Sequence, residues 1–188
     1  MLKRRFKDHQ APDEIAPHHL ASLAVERFIT LGEIVRSPAR PAGLLASRAG
    51  TFVTLRTFEG SLRGCIGTVE PVRENVAEEI IHNAIMAATS DPRFTPIAAR
   101  ELSYLSYGVD VLSDPELSEG PEDLDPLRFG VIIETLDRTR RGLLLPLIEG
   151  IETIEQQWAA VHHKAGITLG ERVRVERFTV TRFGKLDG

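Results

Sequence analysis

The chain has 188 residues, 42% of them hydrophobic and 27% charged, which suits one domain with a core of its own, or one domain with a small subdomain. A net charge of −4 and only 6% aromatic residues give neither an electrostatic nor a stacking basis for binding nucleic acid. No apolar run approaches the ~20 residues that span a bilayer. The single cysteine excludes an internal disulfide framework and any CxxC pair. The basic tip of Lys3, Arg4, Arg5 and Lys7 is followed by no apolar stretch, so no secretory leader is expected and a cytoplasmic protein is.

Residues 1–16 are polar, hold Pro12 and read as a loose arm. Pro17 suits a first helical turn, and Leu20, Leu23, Ala24, Phe28, Leu31 and Val35 then recur at helical spacing, with the helix ending before Pro38. Alternation over Thr51 to Phe58, the turn Glu59-Gly60-Ser61 and the return over Leu62 to Val69 predict a hairpin. A second helix is expected from about Arg73 to Thr89. Val72, Val76, Ile80, Ala84 and Ala87 mark one apolar side of it, and Ala77, Ile81, Ile85 and Ala88 another, so it should be largely buried. Its start, at Pro71 to Asn75, could hold a small anion.

Asp91-Pro92-Arg93-Phe94-Thr95-Pro96 is irregular because of its prolines. Leu105 to Leu112 reads as a strand, and Ser113 to Pro126 as an acidic, turn-rich loop exposed and mobile around residues 118–123. Phe129 to Leu136 and Gly142 to Leu147 form a second hairpin around a basic, solvated turn of Arg138, Arg140 and Arg141. Thr153 and Gln156 make a capping-box pattern for a third helix that buries Ile154, Trp158, Val161 and Ala165 and stops at Gly166. One closing strand is expected over about Arg172 to Phe183. Hairpins and helices mixed without βαβα alternation indicate an α+β fold with a mainly antiparallel sheet.

The candidate chemistry centres on Leu62-Arg63-Gly64-Cys65-Ile66-Gly67-Thr68. With a side-chain period of two, Arg63, Cys65 and Gly67 share one face of the strand, and Leu62, Gly64 and Ile66 the other. Glycines inside a strand weaken it unless another group must approach the backbone closely. The thiolate is the nucleophile, and a cation lowers a thiol pKa that starts near ~8.5, so Arg63 is the expected activator of Cys65. A base would come from His9, His18, His19, His82, His162 or His163. Against this stands Cys65 as a small buried hydrophobe.

Leu62-Arg63-Gly64-Cys65-Ile66-Gly67 resembles the signature of the AMMECR1 family, the protein A component of the AmmeMemoRadiSam group. Asp91-Pro92-Arg93-Phe94, Gly142-Leu143-Leu144-Leu145-Pro146 and Lys164-Ala165-Gly166 match in the expected order, so the resemblance covers about residues 50–183. It implies an α+β, AMMECR1-like domain over residues 17–188 with a larger and a smaller subdomain, and a groove near the cysteine motif. It also implies work alongside MEMO-type and radical-SAM partners. The family often carries a second cysteine before its Lys-Ala-Gly, where this chain has His162 and His163, two residues that could ligate a metal or lie at a solvated helix end.

Two functions are carried forward. In one, the chain is a cysteine-dependent enzyme or enzyme subunit, with Cys65 and Arg63 catalytic. Gly64, Ile66, Gly67, Asp91 and Arg93 would bind the ligand, Arg93 by gripping an anion. In the other it is a non-catalytic binding or adaptor module whose Arg63–Gly67 segment is a docking edge. Structural roles are open as well, with Asp91 capping a turn, Arg93 paired to a carboxylate, Phe94 in the core and His82 half-buried. No cofactor, metal or oligomeric state is read from the sequence.

Overall fold

The computed structural model describes residues 10–184. The basic tip and His9 lie outside the described residues. The chain divides into two compact units, one running to Val111 and resuming at Arg182, the other comprising Leu112–Thr181.

In the first unit, helix α1 (Pro17–Leu31) begins on a proline and ends at Gly32, whose left-handed φ of 68° lets its own N–H donate back to the Phe28 carbonyl and the Glu33 N–H to that of Arg27. Val35, expected at its end, lies beyond it yet is buried. Residues 10–16, assigned above to a loose arm, are tied down: the Ala11 N–H donates to the Arg36 carbonyl at 3.0 Å, and Ala11 is buried.

Strands β1 (Thr51–Thr57) and β2 (Leu62–Thr68) form the expected hairpin. In β1, Val53 and Leu55 are fully buried, each stabilising the fold by roughly 2 kcal/mol relative to exposure. The pairing slips between Leu55↔Gly64 and Arg56↔Leu62, which puts Arg63 in a bulge. Strand β3 (Leu105–Leu112) pairs antiparallel with β1, and β8 (Val180–Phe183) completes the order β2-β1-β3-β8.

Helix α2 (Val76–Thr89) packs on this sheet. It starts three residues later than expected because Asn75 caps it, its side chain accepting the Glu78 N–H at 3.0 Å. Burial on two sides is observed, except that Val72 precedes the helix and is exposed. The helix also buries Glu79 and Asn83, four residues apart.

In the second unit, β4 (Glu116–Ser118), β7 (Val173–Phe178), β5 (Gly130–Thr135) and β6 (Arg141–Leu144) form an antiparallel sheet in that order. Helix α3 (Ile154–Ala165) has the expected capping box and ends at Gly166, φ 64°. Its Val161 joins Val131, Ile133, Leu144 and Val175 in a second core.

Two expectations are corrected here. The acidic segment contains β4, tied to β7 by Arg177 and Glu116 at 2.7 Å, and a short turn of 3-10 helix over Pro121–Asp123. The closing strand is two strands in two sheets. The change falls at Thr179, whose backbone N–H and carbonyl bond to Ser113 at 3.0 and 2.9 Å instead of continuing a ladder. The mixed helix and antiparallel-sheet architecture is the α+β class read from the sequence. Among the described residues no helix is long and apolar enough to cross a membrane.

Candidate functional site

Strand β2 is an edge strand, and at Cys65 its edge is covered by the irregular stretch after α2. The Cys65 N–H donates to Asp91 Oδ2 at 2.8 Å, and Arg93 Nη2 donates to the Cys65 carbonyl at 3.2 Å. Arg93 also grips Asp91 with two nitrogens, Nε to Oδ1 at 3.0 Å and Nη2 to Oδ2 at 2.7 Å. Asp91 thus holds the strand and the arginine together from a side chain only 2% exposed, while Arg93 is 54% exposed. Asp91 Oδ1 further accepts the Arg93 N–H at 3.1 Å, the turn cap foreseen from sequence.

The Arg93 hydrogen bonds, with help from the backbone N–H groups of Cys65 and Arg93, hold the Asp91 carboxyl far below the usual carboxylate range, against the opposing effect of burial. The partnership keeps Arg93 charged, chiefly through Asp91. The nearby Cys65 side chain acts in the same direction. The guanidinium lies 5.5 Å from the ring centroid of half-buried Phe94, within cation–π range.

The arginine bonded to Cys65 is therefore Arg93, through the backbone carbonyl. Arg63, two residues from Cys65 and on the expected face, is engaged elsewhere: Nε and Nη2 donate to Glu101 at 2.8 and 3.2 Å, and Nη1 to the Thr95 carbonyl at 2.9 Å. That contact is the main cause lowering the Glu101 pKa, ahead of the Ala98 N–H. The half-buried Cys65 sulfur accepts a hydrogen bond from the Thr54 hydroxyl at 3.4 Å, its cross-strand partner in the hairpin.

The neighbouring small residues make room for the protein's own atoms. A Cβ on Gly64 would stand 2.2 Å from the Ala87 carbonyl oxygen of α2, and one on Gly67 would stand 2.3 Å from the Phe52 ring. Ile66 packs on the first core. Gly64, Ile66 and Gly67, expected to contact a ligand, are placed by these contacts in the packing around Cys65.

Sequence reasoning missed Thr54, Glu101 and a buried polar network behind the hairpin. Glu79 accepts from the Thr68 hydroxyl at 2.8 Å, the Arg73 N–H at 2.7 Å and the Val72 N–H. Asn83 donates to the Thr51 carbonyl and hydroxyl at 3.1 and 2.9 Å. The anion at the start of α2 is thus the chain's own Glu79. The signal was present in two polar residues four apart on an otherwise apolar side of the helix. Thr54 was readable from the hairpin register; Glu101 had no local signal.

The histidines have separate settings. His18 and His19 stack at 4.1 Å, and burial, then His19, lowers the His18 pKa. Arg73 Nη2 donates to His82 Nδ1 at 3.0 Å. His162 is buried, not solvated: Nδ1 bonds the Trp158 carbonyl at 2.9 Å, the Trp158 ring lies 4.4 Å away, and Nε2 is buried without a partner. His163 is exposed. Arg140, expected in a solvated turn, donates to the Gly166 carbonyl at 2.8 Å and pairs with Glu171. Among the described residues no cluster of three or more His, Cys, Asp or Glu side chains could hold a metal ion.

The AMMECR1 family model matches residues 18–183, which include β2, the Asp91–Arg93 clamp and both sheets. A protein of Thermotoga maritima is 45% identical over 161 residues, 85% of this chain and 91% of that protein. Protein CA_C1420 of Clostridium acetobutylicum is 44% identical over 165 residues, 87% of this chain but 34% of that longer protein. The crystal structure of the uncharacterized protein PH0010 from Pyrococcus horikoshii is similar with a TM-score of 0.81 at 33% identity, covering 90% of this chain and 89% of that one. Motif order, fold and relatives agree, and the chain belongs to the AMMECR1 family.

Proposed function

We propose that this protein is a thiol-dependent enzyme, or the thiol-bearing subunit of one, with Cys65 as its reactive group. The observation that carries this is the setting of Cys65, which is half-buried, accepts from Thr54 at its sulfur and from Arg93 at its carbonyl, that guanidinium being held charged by buried Asp91. A hydroxyl donor at a sulfur stabilises negative charge carried there during attack. In this scheme Cys65 attacks and Arg93, half exposed, binds an anionic or developing negative group of the substrate. Asp91 is a positioning residue, and Arg63 fixes the bulge through Glu101. Family membership further supports action with MEMO-type and radical-SAM proteins of the AmmeMemoRadiSam group, in the cytoplasm.

With one cysteine in the chain, iodoacetamide alkylation needs no assignment. At pH 7 the native rate is expected to exceed that of the urea-unfolded chain by about tenfold. Thr54→Val and Arg93→Gln should each lower the native rate, and Arg63→Ala should leave it nearly unchanged. A native protein protected until it unfolds would make Cys65 a packing residue and return the chain to a non-catalytic binding module.

A further inference from the structure

Apart from the cysteine, the first unit carries a groove of about 930 Å³ along the outer side of α2, the size of a small-molecule site. It runs from the helix cap at Asn75 to Ser90 past the helix end, about 22 Å by the rise of an α-helix. Ile81, Ile85 and Met86 of α2 form its floor, with Phe28 and Val35 on the other side. Ile34 stands at its rim, 67% exposed.

Arg73, Glu78 and His82 stand toward the Asn75 end of the groove, and Thr89 and Ser90 toward the other. An arginine only donates, so Arg73 Nη2 at 3.0 Å from His82 Nδ1 makes that nitrogen the acceptor and leaves the ring proton on Nε2. Burial and then Arg73 lower the His82 pKa, which agrees with a neutral ring. The pair therefore presents N–H donors. Among the described residues of the lining, Arg36 and Arg73 are the cations and Glu78 the carboxylate, a positive formal charge in a chain of net charge −4.

We infer that this groove binds a free, monomeric amphiphile with an anionic head, a carboxylate or phosphate, its head at the Arg73–His82 pair and its apolar body along Ile81, Ile85 and Met86. The site is independent of Cys65, and binding survives Cys65→Ala.

The test titrates dodecanoate, below the concentration at which it forms micelles, into the full chain by calorimetry and by amide NMR shifts. Saturable binding of one equivalent is expected, with shifts on Ile81, Ile85 and Met86. Arg73→Ala should weaken dodecanoate about tenfold, the loss of one charge-assisted contact, and leave dodecan-1-ol unchanged. Ile34→Glu, at an exposed position that does not threaten the fold, should weaken both ligands. Three results would each overturn the proposal: no saturable dodecanoate binding by the folded protein, equal affinities in all variants, or binding only to phosphatidylglycerol vesicles.

Discussion

Gly64 and Gly142 occupy edge strands of two different sheets, and each lies beneath a helix. At Gly64 a methyl group would meet the Ala87 carbonyl oxygen at 2.2 Å; at Gly142 it would meet the Ala165 methyl at 2.7 Å and the Val161 carbonyl at 3.0 Å. The first obstacle is helix backbone and cannot step aside. The second is an alanine methyl fixed to its backbone, also in the last turn of its helix, and the overlap with it is shallower. The same residue type thus sets a closer helix–strand approach in one unit than in the other. The helices differ in chemistry too. Helix α2 brings a buried carboxylate and amide to its sheet, whereas α3 buries Gln157 and His162.

The sharpest way to break this comparison is to add the same methyl group to both strands. Gly64→Ala is expected to cost about 3 kcal/mol and Gly142→Ala about 1–2 kcal/mol, measured by urea denaturation. Equal costs would show that α2 is as free to shift as the end of α3.

Asp91→Asn tests whether the clamp in the first unit stabilises the fold as well as positioning Cys65. It should cost about 2 kcal/mol at neutral pH, because a buried acceptor of charge-assisted bonds is weakened. The folded-state pKa of Asp91 is depressed, so its stabilisation is complete above the unfolded value of about 3.9 and is lost as the pH falls from there toward the folded value. Wild type and variant should therefore converge in stability between about pH 4 and pH 2. A gap that stays constant over that range would assign the loss to packing.

The smallest effect is expected at the start of α3, where Thr153→Ala removes a cap and should cost about 1 kcal/mol by the same measurement. A larger loss would mean that α3 depends on its cap more than on its packed face.

Much of the fold was legible because its signals are local. Alternating Val53 and Leu55 with the Gly60 turn fix the first hairpin, and Thr153 with Gln156 fixes the start of α3. What failed was set by distant partners. Arg63 was placed on the face of Cys65, but Glu101, 38 residues further on, takes its guanidinium. Arg93 reaches the Cys65 carbonyl from 28 residues away, and the period-two rule cannot see across such a gap. The break at Thr179 depends on a serine 66 residues earlier, and nothing in the apolar pattern of β7 and β8 marks the change of sheet. Identifying the candidate site needed only the Gly-Cys-Ile-Gly segment and the later Asp-Pro-Arg-Phe; assigning which arginine bonds Cys65 needed the fold.

The clamp has a consequence for colloidal behaviour. An edge strand with two glycines is a template for another chain to add a strand, the first step toward aggregation. At Cys65 the outward N–H and carbonyl are already taken by Asp91 and Arg93, which stand where a neighbouring strand would bond. The side chains that set the surroundings of the cysteine therefore also occupy the backbone groups that strand addition would use at this point of the edge.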